Sequence, residues 1–281
     1  LASLTKITAT LPNIMQLVEK KEITFNSTLG EMLPELKGSN KEDLKLLAVL
    51  SHYARLKPWI PFYISTLDQG TKKPLDTYYK DAPTKNFDTQ VADHLYIRND
   101  YKDSIIDQIK ESELLSKLQY RYSDLPFILL QRYLENYYHR PLDKIAQDNF
   151  YKSLGMNYTT FNPLDKFGKG EIVPTEVDDY FRYQTIQGYV HDMGAAMLGG
   201  VGGHAGLFST SNDLAKMMQM YLQKGYYGGK RYFSSETLDK FNTCYYCDQD
   251  NRRGVGFDKP QLGESGPTCG CVSEFAERFY V

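Results

Sequence analysis

Apolar residues recurring at three- and four-residue spacing, with hardly any alternating runs, constrain this chain most. Leu4, Ile7, Leu11, Ile14, Leu17 and Val18 fall on one face of a helix predicted over Leu4–Val18. Pro12 predicts a kink there, or a boundary at Leu11. Lys20–Thr28 reads as a turn, and Lys41–Leu50 as a second amphipathic helix. Leu125, Ile128, Leu129, Tyr133 and Leu134 predict a third over Tyr122–Tyr138, with Asp124 placed to cap it. Further helices are expected over Asp143–Leu154, stopping at Gly155, and over Leu214–Leu222 after a cap at Ser211–Asp213. Lys57–Tyr101 carries Pro58, Pro61, Pro74 and Pro83 among aromatic and charged residues. It reads as a surface excursion, not a core layer, within a loop-rich helical stretch over 52–120. Met193–Gly206 is dominated by glycine and alanine, so backbone is needed there more than side chains.

With 281 residues, the chain can bury one large core or two small ones, and the reading is a single domain over 1–281. A net charge of -2 argues against a nucleic-acid partner, whose footprint is basic. No apolar run reaches the roughly 18 residues of a membrane span. The chain starts without Met, and its most chemically suggestive tetrapeptide begins at residue 3. It therefore reads as an excerpt, with further sequence expected before Leu1 and after Val281.

That tetrapeptide is Ser3-Leu4-Thr5-Lys6. On a helix, a serine and a lysine three apart share a face, with Cβ atoms about 5–6 Å apart. Serine is a poor nucleophile without an adjacent base, and a lysine serves if some of it is neutral. A helix N-terminus beside the serine also stabilises negative charge on an attacked carbonyl oxygen. The plainer alternative for the same pair is a capping serine and a solvated lysine.

Three stretches together carry a family resemblance. Ala2-Ser3-Leu4-Thr5-Lys6 before an apolar helix resembles the Ser-x-x-Lys motif of the β-lactamase and penicillin-binding-protein superfamily. Tyr122-Ser123-Asp124 stands where that superfamily has Tyr-x-Asn or Ser-x-Asn, and its tyrosine is similar to the class C and D-alanyl-D-alanine carboxypeptidase branch. Gly188-Tyr189-Val190-His191-Asp192 precedes Gly202-Gly203-His204-Ala205-Gly206-Leu207-Phe208-Ser209, which leads into Asp213-Leu214-Ala215. These resemble class C-like hydrolases, including esterases and the hydrolase halves of bacterial β-N-acetylglucosaminidase fusions. The resemblance runs from Ala2 to about Tyr232. It implies an α+β fold of β-lactamase/transpeptidase type, helical region dominant, and an antiparallel sheet incomplete in this chain. It implies Ser3 as nucleophile, Lys6 as base and Tyr122 as proton donor to the leaving group, with no cofactor. Asp124, His204 and Gly206 would contact substrate. The substrate would be a small acyl compound: a peptidoglycan-derived D-alanyl peptide, an ester or a β-lactam. The setting would be the periplasm or envelope of a bacterium, with a glycosidase domain as a possible upstream neighbour.

Two departures stand out. Asp124 replaces the family's asparagine, and an ionised aspartate only accepts hydrogen bonds. It either alters substrate preference, pairs with Lys6, or simply caps its helix. No Lys-Thr-Gly, His-Thr-Gly or His-Ser-Gly third motif occurs, and His204-Ala205-Gly206 belongs to the glycine-rich loop instead. Its strand is expected after Cys271, where Val272–Val281 closes the chain, so activity is expected to be impaired or absent without it. A non-catalytic cell-wall-binding relative is the first alternative.

The cysteines fall as Cys244-x-x-Cys247 and Cys269-x-Cys271. Disulfides linking the two clusters, free thiols, or a structural zinc on all four are the readings, the last making the chain an interaction module. His52, in Leu50-Ser51-His52, resembles a Leu-x-His segment of the same family, which implies a structural place beneath the active site. His191 and Asp192 either line the cleft or fix the glycine loop. His94 and His139 read as surface residues. Trp59 either lines a substrate groove or anchors its loop.

Overall fold

The computed structural model describes residues 1–259. Cys269, Cys271 and the position expected for the third motif lie outside the described residues. The first helix changes register where Pro12 demanded it. Lys6–Thr10 is a π turn, with Leu11 N–H reaching back to Lys6 O, and α1 (Leu11–Glu19) follows with Pro12 in its first turn. Proline has no N–H to give Thr8 O, and the register change releases Ile7 O. Two buried tyrosines take these carbonyls: Tyr151 donates to Thr8 O at 3.1 Å and Tyr221 to Ile7 O at 2.7 Å. The turn carrying Ser3 and Lys6 is thus fixed to a helix whose Leu11, Ile14, Met15 and Leu17 are fully buried.

Short α2 (Leu29–Met32) opens with a capping box from Thr28 and Glu31. The helix expected over Lys41–Leu50 survives only in its second half, α3 (Leu46–Leu50). Glu42 O and Leu44 O accept from Gly30 N–H and Leu29 N–H, which draws residues 42–45 into pairing with α2 instead of helix.

The Pro-rich stretch is not a mere surface excursion, which corrects the expectation for 52–120. β1 (Tyr79–Lys80), β2 (Thr89–Ala92) and β3 (Leu95–Ile97) form an antiparallel sheet in the order β1-β3-β2, followed by α4 (Tyr101–Glu111). Tyr79, Val91, Ile97, Ile105 and Ile109 are buried in a second hydrophobic core, which they share with Leu29, Leu125 and Phe181. The prolines occupy the connections, while the core residues come from short runs that alternation over longer windows misses.

α5 (Leu125–Tyr138) lies between two cores. Phe127, Leu130 and Leu134 pack with α1, and Leu125, Ile128 and Leu129 pack with the second core. A helix apolar on both sides has to be buried there. Tyr122–Asp124 lead directly into this helix, with Asp124 at its N-cap position.

α6 (Leu142–Ala146) and α7 (Lys152–Leu154) flank a π turn and stop at Gly155, whose φ of 68° suits glycine. The hairpin β4 (Glu176–Asp178) and β5 (Gln184–Ile186) precedes α8 (Met193–Met197) and the glycine loop. α9 (Ser211–Leu222) is capped one residue earlier than expected, by Thr210 accepting from Asp213 N–H. The hairpin β6 (Tyr226–Tyr227) and β7 (Lys230–Arg231) leads to α10 (Ser235–Asn242). Strands among the described residues are short, antiparallel and split over three small sheets, so helix dominates an α+β fold.

Cys244 and Cys247 are joined to each other. This overturns both the expectation of disulfides linking the two clusters and that of a four-cysteine zinc, since neither sulfur remains available.

Candidate active site

Lys6 is the centre of the constellation and is almost wholly buried. Its Nζ donates to Ser3 Oγ at 2.8 Å and to His204 O at 3.2 Å, and it meets Asp124 Oδ1 at 2.6 Å. An ammonium has three N–H bonds, and these three acceptors use them all. Removing one proton would leave two donors for His204 O and Asp124, and a lone pair for Ser3 Oγ–H. Ser3 itself is exposed at the mouth of the cleft.

Asp124 does not cap α5 with its side chain; Ser123 Oγ instead accepts from Leu125 N–H at 3.2 Å. Of the expectations for Asp124, the ion pair with Lys6 is the one the structure contains. Tyr122 lies against the same group, with Lys6 Nζ 5.0 Å from its ring centroid. His52 packs on Tyr122 at 4.6 Å between centroids, and its Nδ1 accepts from Ser123 N–H. Burial, then the charges of Arg253 and Lys6, hold the His52 imidazole well below its usual pKa, so it stays neutral. It is a support for Tyr122 and Ser123.

The glycine loop brings His204 to Lys6. A side chain at Gly203 would put Cβ 2.1 Å from Phe127 O, so α5 and the loop approach as only glycine allows. Gln131, buried on α5, accepts from Gly203 N–H at 2.7 Å and donates to Val201 O at 2.7 Å. Thr10 Oγ1 donates to Gly203 O at 2.7 Å. Gly206 lines the same cleft, at a φ of 114° and with Gly200 O 2.3 Å from where a Cβ would stand.

His204 Nε2 lies 2.8 Å from Asp192 Oδ1, which also accepts from Ala195 N–H at the start of α8. Asp192 therefore both lines the cleft and fixes the loop. Burial works to raise its carboxyl, but His204, the Ala195 amide and Lys6 together hold it far below the usual carboxylate range. His191 pairs with Glu176 at 3.2 Å, and buried Arg182 ties Glu176 and Asp178 to Val190 O.

Two cavities open beside Ser3. One, of about 330 Å³, is lined by Ser3, Asp124, His191, Asp192, His204 and Gly206. The other, of about 470 Å³, is lined by Ser3, Lys6, Tyr120, Tyr122, Arg253 and Asp258. Trp59 is half exposed in a neighbouring recess shared with Asp124 and His204. A further 440 Å³ hollow between α4, α5 and the glycine loop is remote from Ser3. Among the described residues, no group of three His, Cys, Asp or Glu side chains could hold a metal ion.

A serine–lysine pair at the head of a helix, a tyrosine at the head of a second, and a glycine loop closing on the lysine invite comparison with known proteins. The sequence profile described as Beta-lactamase matches residues 1–243. The chain belongs to the beta-lactamase family. A protein from Salmonella typhimurium named "Putative D-alanyl-D-alanine carboxypeptidase" is 30% identical over 295 residues, covering 97% of this chain and 61% of that protein. The chain thus spans about three fifths of the curated relatives it matches. Its fold is similar to a D-stereospecific amidohydrolase from Streptomyces, with TM-score 0.60 and 16% identity over 92% of this chain and 70% of that one. It is also similar to a class C beta lactamase from Rhodobacter sphaeroides, with TM-score 0.53 and 13% identity over 86% and 55%.

Of the residues the sequence singled out, Ser3, Asp124, His204 and Gly206 line one of the two cavities, and Ser3, Lys6 and Tyr122 line the other. His94 and His139 are exposed, away from both. The sequence reading passed over Gln131 and Arg253. Gln131 ends the apolar run Leu125–Leu130 of α5 and is followed by Arg132, so the sequence alone reads it as the start of the polar face and not as a buried hydrogen-bonding residue. Arg253 follows a second arginine and precedes Gly254-Val255-Gly256, with no periodic signal to place it.

Proposed function

We propose that this chain is the acyl-transfer unit of a serine hydrolase acting on a D-alanyl peptide of the bacterial cell wall, with esters and β-lactams as alternative acyl donors. The observation that carries this is the 2.8 Å contact from Lys6 Nζ to Ser3 Oγ, made by a lysine buried beneath an exposed serine. Neutral Lys6 takes the Ser3 proton as Oγ bonds to the carbonyl carbon and the carbonyl electron pair moves to oxygen. Collapse of that adduct breaks the bond to the leaving group, which receives a proton through Tyr122. Water then opens the acyl ester by the reverse route. Asp124 and His204 O keep Lys6 aimed at Ser3 throughout. The named carboxypeptidase relatives support the peptide as substrate and the bacterial envelope as its location.

The Lys6–Asp124 pair favours a second reading, a cell-wall-binding relative that acylates without turning over. Intact mass spectrometry after exposure to benzylpenicillin separates the two. An adduct absent from Ser3→Ala supports acylation, and its decay over hours distinguishes turnover from trapping. No adduct on the folded protein counts against both.

A further inference from the structure

The 440 Å³ hollow between α4, α5 and the glycine loop takes no part in the mechanism above, and none of Ser3, Lys6 and Tyr122 lines it. Its volume falls in the range of small-molecule sites, about 300–1,000 Å³. Buried Ile106, Ile128 and Met197 give it an apolar base, and Tyr189 adds an aromatic ring.

Polar groups with unused hydrogen-bonding capacity border that base. Glu135 Oε1 accepts from Gln131 Nε2 at 3.1 Å and from Leu142 N–H at 3.0 Å, whereas Oε2 has no hydrogen-bond partner among the described residues. Arg132, the one cation on α5, is already held by Glu35 at 3.3 Å and Asp103 at 2.9 Å. Burial raises the Glu135 carboxyl above its ordinary value. Gln90 Nε2 donates to the Tyr189 hydroxyl at 3.0 Å. Among the described residues, that leaves Gln90 Oε1 to accept and the Tyr189 O–H to donate. Lys102 on α4 is exposed beside them and makes no hydrogen bond or ion pair among the described residues.

This mixture restricts what the hollow can hold. An anion would face the carboxylates of Glu135, Asp88 and Asp165, and a simple cation would face Lys102. An apolar molecule would strand the polar groups. A ring bearing several hydroxyls meets the whole set, because each hydroxyl both donates and accepts while the C–H face of the ring is apolar. Gln131 and Leu142 already hold the Glu135 carboxylate, so little ordering is needed to receive a ligand there.

We propose that this hollow is a second ligand site that binds a neutral saccharide, one hydroxyl donating to Glu135 Oε2 and others meeting Gln90 and Tyr189. The site stands apart from Ser3 and does not depend on the acyl-transfer reading.

The test is ligand-observed NMR titration of the whole chain with D-glucose, N-acetyl-D-glucosamine and cellobiose. D-glucuronate and n-butylamine serve as an anion and a cation for comparison. At least one neutral sugar should bind with a roughly millimolar Kd and more tightly than either charged compound. Glu135→Gln puts an NH2 donor where the free acceptor stood and should weaken that sugar roughly tenfold, the range of one hydrogen bond to a charged group. Should Glu135→Gln fail to fold, Gln90→Ala takes its place, with weaker sugar binding again expected. Trp59→Ala, in the recess beside the Ser3 cleft, should leave sugar binding unchanged. The proposal is overturned by no sugar binding, by tighter binding of a charged compound, or by binding indifferent to the Glu135 or substitute Gln90 change. Binding lost in Trp59→Ala overturns it too, since the sugar would then sit beside Ser3.

Discussion

Replacing Asp124 by asparagine should make Ser3 more reactive while making the protein less stable. At 2.6 Å, two unit charges attract by about 6 kcal/mol at an effective dielectric of about 20. Asparagine keeps an acceptor for Lys6 but removes that charge. The Asp124 side chain is 25% exposed, and desolvation of the pair offsets most of the attraction, so the net effect is nearer 1–2 kcal/mol. Before Lys6 can take the serine proton it must give up one of its own, and the pair with Asp124 holds the ammonium against that loss. Losing 1–2 kcal/mol of ground-state hold therefore corresponds to roughly a tenfold faster acylation. The assay is the rate of adduct formation with benzylpenicillin at neutral pH, beside urea unfolding of both proteins. Asp124→Asn should label faster and unfold at a lower urea midpoint. A variant that folds normally and labels at the wild-type rate or more slowly would refute the view that Asp124 restrains Lys6.

Other outcomes follow from the same geometry. Tyr151→Phe strips Thr8 O of its donor beside Pro12 and should cost about 1–3 kcal/mol in urea unfolding; an unchanged midpoint would show that the carbonyl is otherwise satisfied. Gly203→Ala forces a Cβ against Phe127 O and should lower both the unfolding midpoint and the labelling rate, because the loop delivers His204 O to Lys6. His52 is held neutral when folded, whereas an unfolded histidine takes up a proton below about pH 6.5. The unfolded state then binds the extra proton, so stability should fall below that pH by up to about 1.4 kcal/mol per pH unit. His52→Asn tolerates the φ of 53° there and should remove that part of the slope between pH 7 and 5. Asp192 has the opposite titration. Its depressed carboxyl contributes stability above the usual carboxylate range that is lost as pH falls below it, so Asp192→Asn should flatten the acid limb of the unfolding curve.

Much of the candidate site was legible because the residues proposed to do chemistry sit at helix starts, where spacing predicts proximity. Ser3 and Lys6 share a helical face, and Tyr122 heads an apolar helix whose burial the pattern announces. The glycine loop was readable as backbone-led, but not the reason: Gly203 lets α5 approach within a distance no side chain permits. Asp124 shows the limit of local rules. Its position before an apolar run fits a cap, yet the long-range charge of Lys6 claims its carboxylate, and Ser123 takes over as acceptor. Prolines misled the reading of 57–101, since they mark connections and say nothing of short buried strands between them. The π turn at Lys6–Thr10 follows from Pro12, but its support by Tyr151 and Tyr221 comes from chain segments 130 or more residues away. Arg253 has no sequence signal at all beyond its neighbours; only the fold places it against Tyr122.

The central claim is that Ser3 is a nucleophile activated by Lys6. Its most direct test labels wild type, Ser3→Ala and Lys6→Met with a fluorophosphonate, under conditions where all three are folded, and maps the adduct by peptide mass. The account predicts one adduct per chain on the peptide holding Ser3, none in Ser3→Ala, and labelling of Lys6→Met slowed by roughly a hundredfold or more. An adduct elsewhere, or one on Ser3 that forms as fast without Lys6, would contradict it.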